Sequence, residues 1–234
     1  MAQPSRAPWS PLVAGEHALP RELGSYLVRV LRLREGDAFV LFDPEAGTEA
    51  DAVLLRDVPA LARVEEPRAA TSALTREVIL LQGLAKGDKP EQVLRAAVAL
   101  GATTVAFLRT ERSISGAELR PERLRAVMLD AARQCGRGEL PALLGLLDFD
   151  AGLARGAGRK LKLAPTAARA LVEVLRTLSP REPVTLAIGP EGGFAPREDE
   201  ALVEAGFEPV RLSTFVLRTE LAAVAALSVV AAHE

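Results

Sequence analysis

Three stretches of this chain place turn-forming glycine or charge where an apolar run ends. The first is IGPEGG, comprising Ile188, Gly189, Pro190, Glu191, Gly192 and Gly193. Glycines there leave no Cβ atoms in the way, so a ligand can lie against the backbone. No Gly-Lys-Ser/Thr follows and the GxGxxG spacing is missing, so the motif is neither a phosphate-binding P-loop nor a dinucleotide fingerprint. Glu191 either faces a ligand or caps backbone N–H groups of the next helix. The second stretch, QGLAKGDKPEQ (82–92), carries two of the chain's four lysines, Lys86 and Lys89. Ligands of open parallel sheets bind beyond the carboxyl ends of strands, which puts these lysines in position to meet phosphate. The third is RLSTFVLRTELAAVAAL (211–227), in which Arg218, Thr219 and Glu220 open an otherwise apolar helix. Thr219 is the expected N-cap. Arg218 is a cation at the positive end of a helix dipole, which suggests that it answers to a ligand or partner.

The elements that must position these stretches alternate between strand and helix. EVILLQGL (77–84) and VTLAIG (184–189) are near-continuous apolar runs, as in strands buried on both faces. The sequence predicts a helix from Asp88 as N-cap to Gly101, a strand over 103–109, and a helix over PERLRAVMLDAARQCG. A strand and loop over LPALLGLLDF and a helix over 166–178 follow. After VTLAIG come a helix from Pro196 to Gly206, a strand PVRLS ending at Ser213, and a long apolar C-terminal helix. Such alternation predicts an α/β fold with a parallel, helix-flanked sheet. Ahead of it, AFVLF (38–42) and ADAVLLRDV (50–58) read as short strands around a DPEAGTE turn. SYLVRVLRLREGD reads as a short helix or strand stopping at Gly36-Asp37, and residues 60–75 lose clear periodicity. The pattern predicts a small β-barrel or sandwich over residues 1–70 and a second domain over 71–234.

Composition narrows the function classes. Of the 234 residues, 49% are hydrophobic and 26% charged, enough for a substantial core, whereas aromatics are only 4%. A single cysteine, Cys135, excludes an internal disulfide and fits a reducing compartment. No apolar run is long enough to span a bilayer and no signal-peptide pattern opens the chain, so a cytoplasmic protein without membrane association is expected. His17 and His233 offer no metal site or catalytic pair. The net charge of −2 argues against a generally basic nucleic-acid binder. Two local stripes are basic nonetheless: Arg21, Arg29, Arg32 and Arg34, and then Arg155, Arg159, Lys160, Lys162 and Arg169. Each either binds phosphate or is an ordinary solvated face.

In this order QGLAKGDKPEQVLRAAVALG, FLRTERS, ARQCGRGELP, IGPEGGF and VLRTE resemble the bacterial 16S rRNA uracil-N3 methyltransferases of the SPOUT class, over residues 76–232. LVRVLRLREGDAFVLFDPEAG is similar to that family's PUA-like RNA-binding β-barrel domain. The resemblance implies a parallel sheet with a C-terminal trefoil knot, S-adenosyl-L-methionine as cofactor, and a homodimer packed through the knot helices. It also implies a uridine of 16S rRNA in the small ribosomal subunit as substrate. By this likeness Ile188–Gly193, Leu212, Leu217 and Thr219 hold the cofactor. Arg218 stabilises charge on the uracil, and Glu220 and Glu191 are candidate bases. Arg112, Arg133 and Arg137 match basic positions that meet the RNA backbone, joining Arg29, Arg32, Lys86 and Lys89.

The chain departs from the family pattern near the cofactor. Where Leu-Gly-x-Arg-Ile-Leu-Arg-Thr-Glu-Thr-Ala is usual, LSTFVLRTELA puts Ser213 for the glycine, Phe215 for the first arginine and Leu221 for the second threonine. Arg95 and Ala99 occupy usually charged positions, and Tyr26 stands where histidine is common. These changes leave two alternatives open: a non-catalytic SPOUT-fold RNA-binding protein in ribosome assembly, or the same chemistry on another RNA such as tRNA.

Overall fold

The computed structural model describes residues 4–70, 76–113 and 119–233. The chain divides into two compact units, Met1–Ser72 with Leu129–Leu140, and Ala73–Met128 with Pro141–Glu234. Residues 71–75, next to the boundary expected from sequence, lie outside the described residues.

The smaller unit is built on strands β1 (Arg6–Pro8), β2 (Gly15–Ala18), β3 (Ala38–Asp43), β4 (Thr48–Arg56), β5 (Leu61–Val64) and β6 (Arg68–Ala69). Their order is β1-β3-β4-β5-β2, with β6 beside β4. All pairings are antiparallel except β1 with β3. β3 and β4 match the expectation. β1, β2, β5 and β6 do not, because they are too short to display a period. In β5 only Ala62 and Val64 turn inward, where they join a core of Leu27, Phe39, Leu41 and Leu54. Helix α1 (Arg21–Ser25) widens into a π-type turn over Tyr26–Val30. It stops at Leu31 rather than at Gly36-Asp37, because Arg32 takes a left-handed φ of 59° and the Leu33 N–H reaches back to the Leu27 carbonyl, 3.0 Å away.

The larger unit contains a six-stranded, wholly parallel sheet of β7 (Val78–Gly83), β8 (Thr104–Arg109), β9 (Ala142–Asp148), β10 (Arg159–Leu163), β11 (Val184–Ile188) and β12 (Glu208–Val210). The order is β12-β10-β11-β7-β8-β9. The helices are α2 (Lys89–Ala99), α3 (Pro121–Cys135, of which the residues after Met128 belong to the smaller unit), α4 (Phe149–Leu153), α5 (Leu171–Leu175), α6 (Pro196–Glu204) and α7 (Thr219–Ala231). Side chains alternate across the strands, so each face has its own helices. Ile79, Leu81, Ala106 and Ala187 pack with Leu153 of α4 and Leu202 of α6. The opposite face meets α2 and α7, which also pack on each other.

Two sequence expectations are corrected here. The helix expected over 166–178 is only α5, because Ala164–Arg169 follow β10 as an irregular segment instead. Three of the five cations of the second basic stripe, Arg159, Lys160 and Lys162, lie in strand β10 and have protein partners, whereas Arg155 and Arg169 are exposed. Lys162 is buried and paired with Asp199 at 2.5 Å, and Lys160 donates to the Ala205 carbonyl at 3.1 Å. Arg159 and Arg169 both pair with Glu208.

Candidate functional site

β7 and β11 are neighbours, and IGPEGG begins where β11 ends. The Gly83 backbone lies so close to the turn that an added Cβ would stand 2.5 Å from both the nitrogen and Cδ of Pro190. Strand end and turn therefore interlock only with glycine at 83. Gly193 takes a left-handed φ of 68°, and its N–H closes the turn on the Pro190 carbonyl at 2.9 Å.

Polar side chains brace the turn from three sides. Thr219 donates its hydroxyl to the Gly189 carbonyl at 2.6 Å and accepts from the fully buried Gln82 amide at 2.8 Å. Thr219 is thus not the N-cap expected from sequence. It is the first residue of α7, Arg218 holds the cap position, and no side chain caps the helix there. Arg112 donates to the carbonyls of Gly192 and Phe194, at 2.7 and 3.3 Å. Glu198 accepts from the Glu111 N–H at 2.7 Å and from the Ala195 N–H at 2.8 Å, joining the same two loops while it caps α6.

Glu191 leaves that capping role to Glu198 and turns the other way. Its Oε1 accepts from the Lys89 ammonium at 2.7 Å and from the Lys86 N–H at 3.1 Å. Burial pushes the carboxyl up, but the Lys89 hydrogen bond and the N–H groups of Glu191 and Lys86 outweigh it and hold the group below its ordinary value. Hydrogen bonding to Glu191 correspondingly raises Lys89. Lys89 also lies 3.8 Å from Oε2 of Glu220, a buried carboxylate whose Oε2 makes no hydrogen bond among the described residues.

A cavity of about 570 Å³ opens beside this turn, within the ordinary range of roughly 300 to 1,000 Å³ for small-molecule sites. Ile188, Gly189, Pro190, Glu191 and Gly193 form one wall, and Leu212, Ser213, Phe215, Val216, Leu217, Arg218 and Thr219 the other. Of the expected cofactor residues, only Gly192 is absent from the lining; the position of its missing Cβ faces Arg112, 3.2 Å from Cδ. Glu220 is not a lining residue either. The floor includes Leu163, Ala164, Pro165, Thr166, Val210 and Asp199, which the sequence reading missed. A signal for them existed: Lys160-Leu161-Lys162-Leu163 alternates with period two, and a buried strand lysine needs a carboxylate such as Asp199.

The expected RNA-facing residues fall into different settings. Arg29, Arg32, Lys86 and Arg112 are exposed, although Arg112 also clamps the glycine turn. Lys89 lies between two carboxylates. Within the smaller unit Arg133 pairs with Asp130 and its guanidinium lies 4.5 Å from the Tyr26 ring centroid. Arg137 differs most from expectation: its side chain is only 4% exposed, and burial lowers its pKa, so it is not presented to a phosphate backbone.

The cavity is large enough for a small-molecule ligand. Ile188, Leu163, Val210, Leu212 and Leu217 give it an apolar lining. Residues 72–231 match the RNA methyltransferase domain family, and residues 19–57 match the PUA domain of RNA methyltransferases. A Synechocystis protein named ribosomal RNA small subunit methyltransferase E is 32% identical over 216 residues, 87% of this chain and 68% of that protein. A methyltransferase from Legionella pneumophila, solved with bound cofactor SAM, superposes with a TM-score of 0.85 at 27% identity, covering 99% of this chain and 98% of that one. A ribosomal RNA small subunit methyltransferase E from Neisseria gonorrhoeae, solved with S-adenosyl methionine, gives 0.84 at 28% identity, covering 96% and 95%. Strand order, glycine turn, cavity and these likenesses agree, and the chain belongs to the ribosomal RNA small subunit methyltransferase E family, of the SPOUT class of RNA methyltransferases.

Proposed function

We propose that this protein transfers a methyl group from S-adenosyl-L-methionine to N3 of one uridine in small-subunit (16S) rRNA. The observation that carries the proposal is the cavity between the glycine turn and the segment entering α7, with an exposed arginine at its rim. Ile188–Gly193, Leu212, Leu217 and Thr219 hold the cofactor, Gly192 by shaping the turn. When bound, the cofactor supplies an electrophilic methyl group on a sulfonium. The protein's own task is to make N3 a nucleophile, because that nitrogen carries a proton and attacks poorly until the proton is lost. The Arg218 side chain makes no hydrogen bond or ion pair among the described residues, so its guanidinium is available to the negative charge that develops on the uracil. Of the two carboxylates, Glu191 is the weaker base, since Lys89 and two N–H groups stabilise its anion. Glu220 keeps an oxygen without a hydrogen bond among the described residues, but it is buried beside Lys89 and is not among the cavity residues.

Residues 1–70 form the RNA-binding domain and 71–234 the catalytic domain, the latter with a C-terminal trefoil knot. RNA is met by Arg29, Arg32 and Lys86, all exposed, with Arg112 contributing at the glycine turn. Leu221 and Val224, exposed apolar residues of α7, pack in a homodimer through the knot helices. No helix among the described residues is long and apolar enough to cross a membrane, which accords with work in the cytoplasm. The test is mass mapping of small-subunit rRNA incubated with the purified protein and S-adenosyl-L-methionine. One methyl group on N3 of a single uridine is expected. A methyl group on tRNA instead would move the assignment to another RNA, and cofactor binding without transfer to any RNA would leave only a binding protein.

A further inference from the structure

We infer that Phe215 is the stacking platform for the base being methylated, so that the aromatic departure at this position sets how the substrate is held. The inference rests on the methyl-transfer reading of the cavity. Phe215 is 79% exposed next to the equally exposed Val216, and this apolar pair belongs to the cavity lining. Its backbone is ordered: the Phe215 N–H donates to the Ser213 hydroxyl at 3.1 Å. Ser213 is itself a departure from the family pattern, so the two changes act together, one pinning the loop and the other presenting the ring. Three residues on, Arg218 is exposed and lines the same cavity.

An aromatic ring and a guanidinium lining one cavity match a flat base with acceptor atoms on its edge. Uracil answers this description, since its N3 lies between two carbonyl oxygens. Stacking holds the plane of the ring and Arg218 meets the edge, so that N3 is presented toward the methyl donor. A protein partner is the less suitable occupant. The outward apolar residues of α7, Leu221 and Val224, are not among the cavity residues, whereas Phe215 is. The ring belongs to the substrate side of this surface.

The test compares wild type, Phe215→Ala, Phe215→Trp and Ser213→Gly. Stacking losses on alanine substitution correspond to roughly 5- to 150-fold, and kcat/KM toward rRNA should fall by that factor in Phe215→Ala. Phe215→Trp should retain most of the rate, and Ser213→Gly should lie between. Affinity for S-adenosyl-L-methionine by calorimetry and molar mass by light scattering should not change. An unaltered kcat/KM in Phe215→Ala, a loss confined to cofactor affinity, or dissociation into monomers would each overturn the inference. A second readout is independent of turnover: photo-crosslinking to a short single-stranded RNA carrying one 5-iodouridine, mapped by mass spectrometry. The crosslink should fall on Phe215, and one that falls elsewhere removes the platform. A wild-type protein that crosslinks at Phe215 yet methylates no RNA would sink the methyl-transfer reading and leave the stacking contact standing.

Discussion

Along residues 188–194 the cavity wall is held by side chains from distant parts of the chain: Thr219 on the Gly189 carbonyl, Arg112 on those of Gly192 and Phe194, and Lys89 on Glu191. Along 212–218 the facing wall has little of this. Phe215 and Val216 are each 79% exposed, the exposed Arg218 side chain has no partner among the described residues, and the Ser213 hydroxyl bonds only within the segment, to the Phe215 N–H. The contrast fits the two ligands of the proposed reaction. A small cofactor of constant shape is best met by a surface whose geometry is fixed beforehand, since ordering that surface then costs nothing on binding. A base arriving on a large RNA needs an accessible edge with chemistry still unsatisfied. In the proposed reaction the braced wall holds the cofactor together with Leu212 and Leu217, and Phe215 and Arg218 of the open wall meet the base.

The largest effect should come from the open wall. Replacing Arg218 by alanine should lower the single-turnover rate by at least about 100-fold, the scale of losing one preorganised charge-stabilising donor. Calorimetry should find cofactor affinity nearly unchanged. If affinity falls as steeply as rate, the division between the walls is wrong. Next comes the braced wall. Thr219→Val removes a hydroxyl bonded to both Gly189 and Gln82 and leaves their buried partners wanting. Urea unfolding should show a loss of about 1 to 3 kcal/mol. Cofactor affinity should weaken while the rate of bound substrate persists.

The smallest effect concerns Glu191. Its folded pKa lies below the ordinary carboxylate value of 4.5, so the charged form is stabilised in the native state. That contribution is present above pH 4.5 and lost as the pH falls through the lower folded value. Wild type should therefore be more stable than Glu191→Gln near neutrality. The two urea midpoints should converge on acidification, and a gap that widens toward low pH would reverse the assigned sign.

The sequence made the sheet readable where strands are buried on both faces. VILLQG and VTLAI are wholly buried, and their carboxyl ends point to the site. The cavity walls were readable too, through glycine spacing and the resemblance that IGPEGG and VLRTE carry. The bracing was not. Its hydrogen bonds join residues 80 apart for Arg112 with Gly192, 102 for Lys89 with Glu191 and 137 for Gln82 with Thr219. No local pattern reports such a pairing. Charge runs misled for the same reason: the stripe holding Lys160 and Lys162 looks as available as the one holding Arg29 and Arg32. A strand puts the lysines against Ala205 and Asp199, whereas the arginines end an exposed helical turn.

In the proposed reaction two remote backbone segments close on one methyl donor. Amide hydrogen exchange with and without S-adenosyl-L-methionine tests it most directly. Protection should rise together around residues 188–193 and 212–219. Protection of one segment alone, or of neither, would contradict the account.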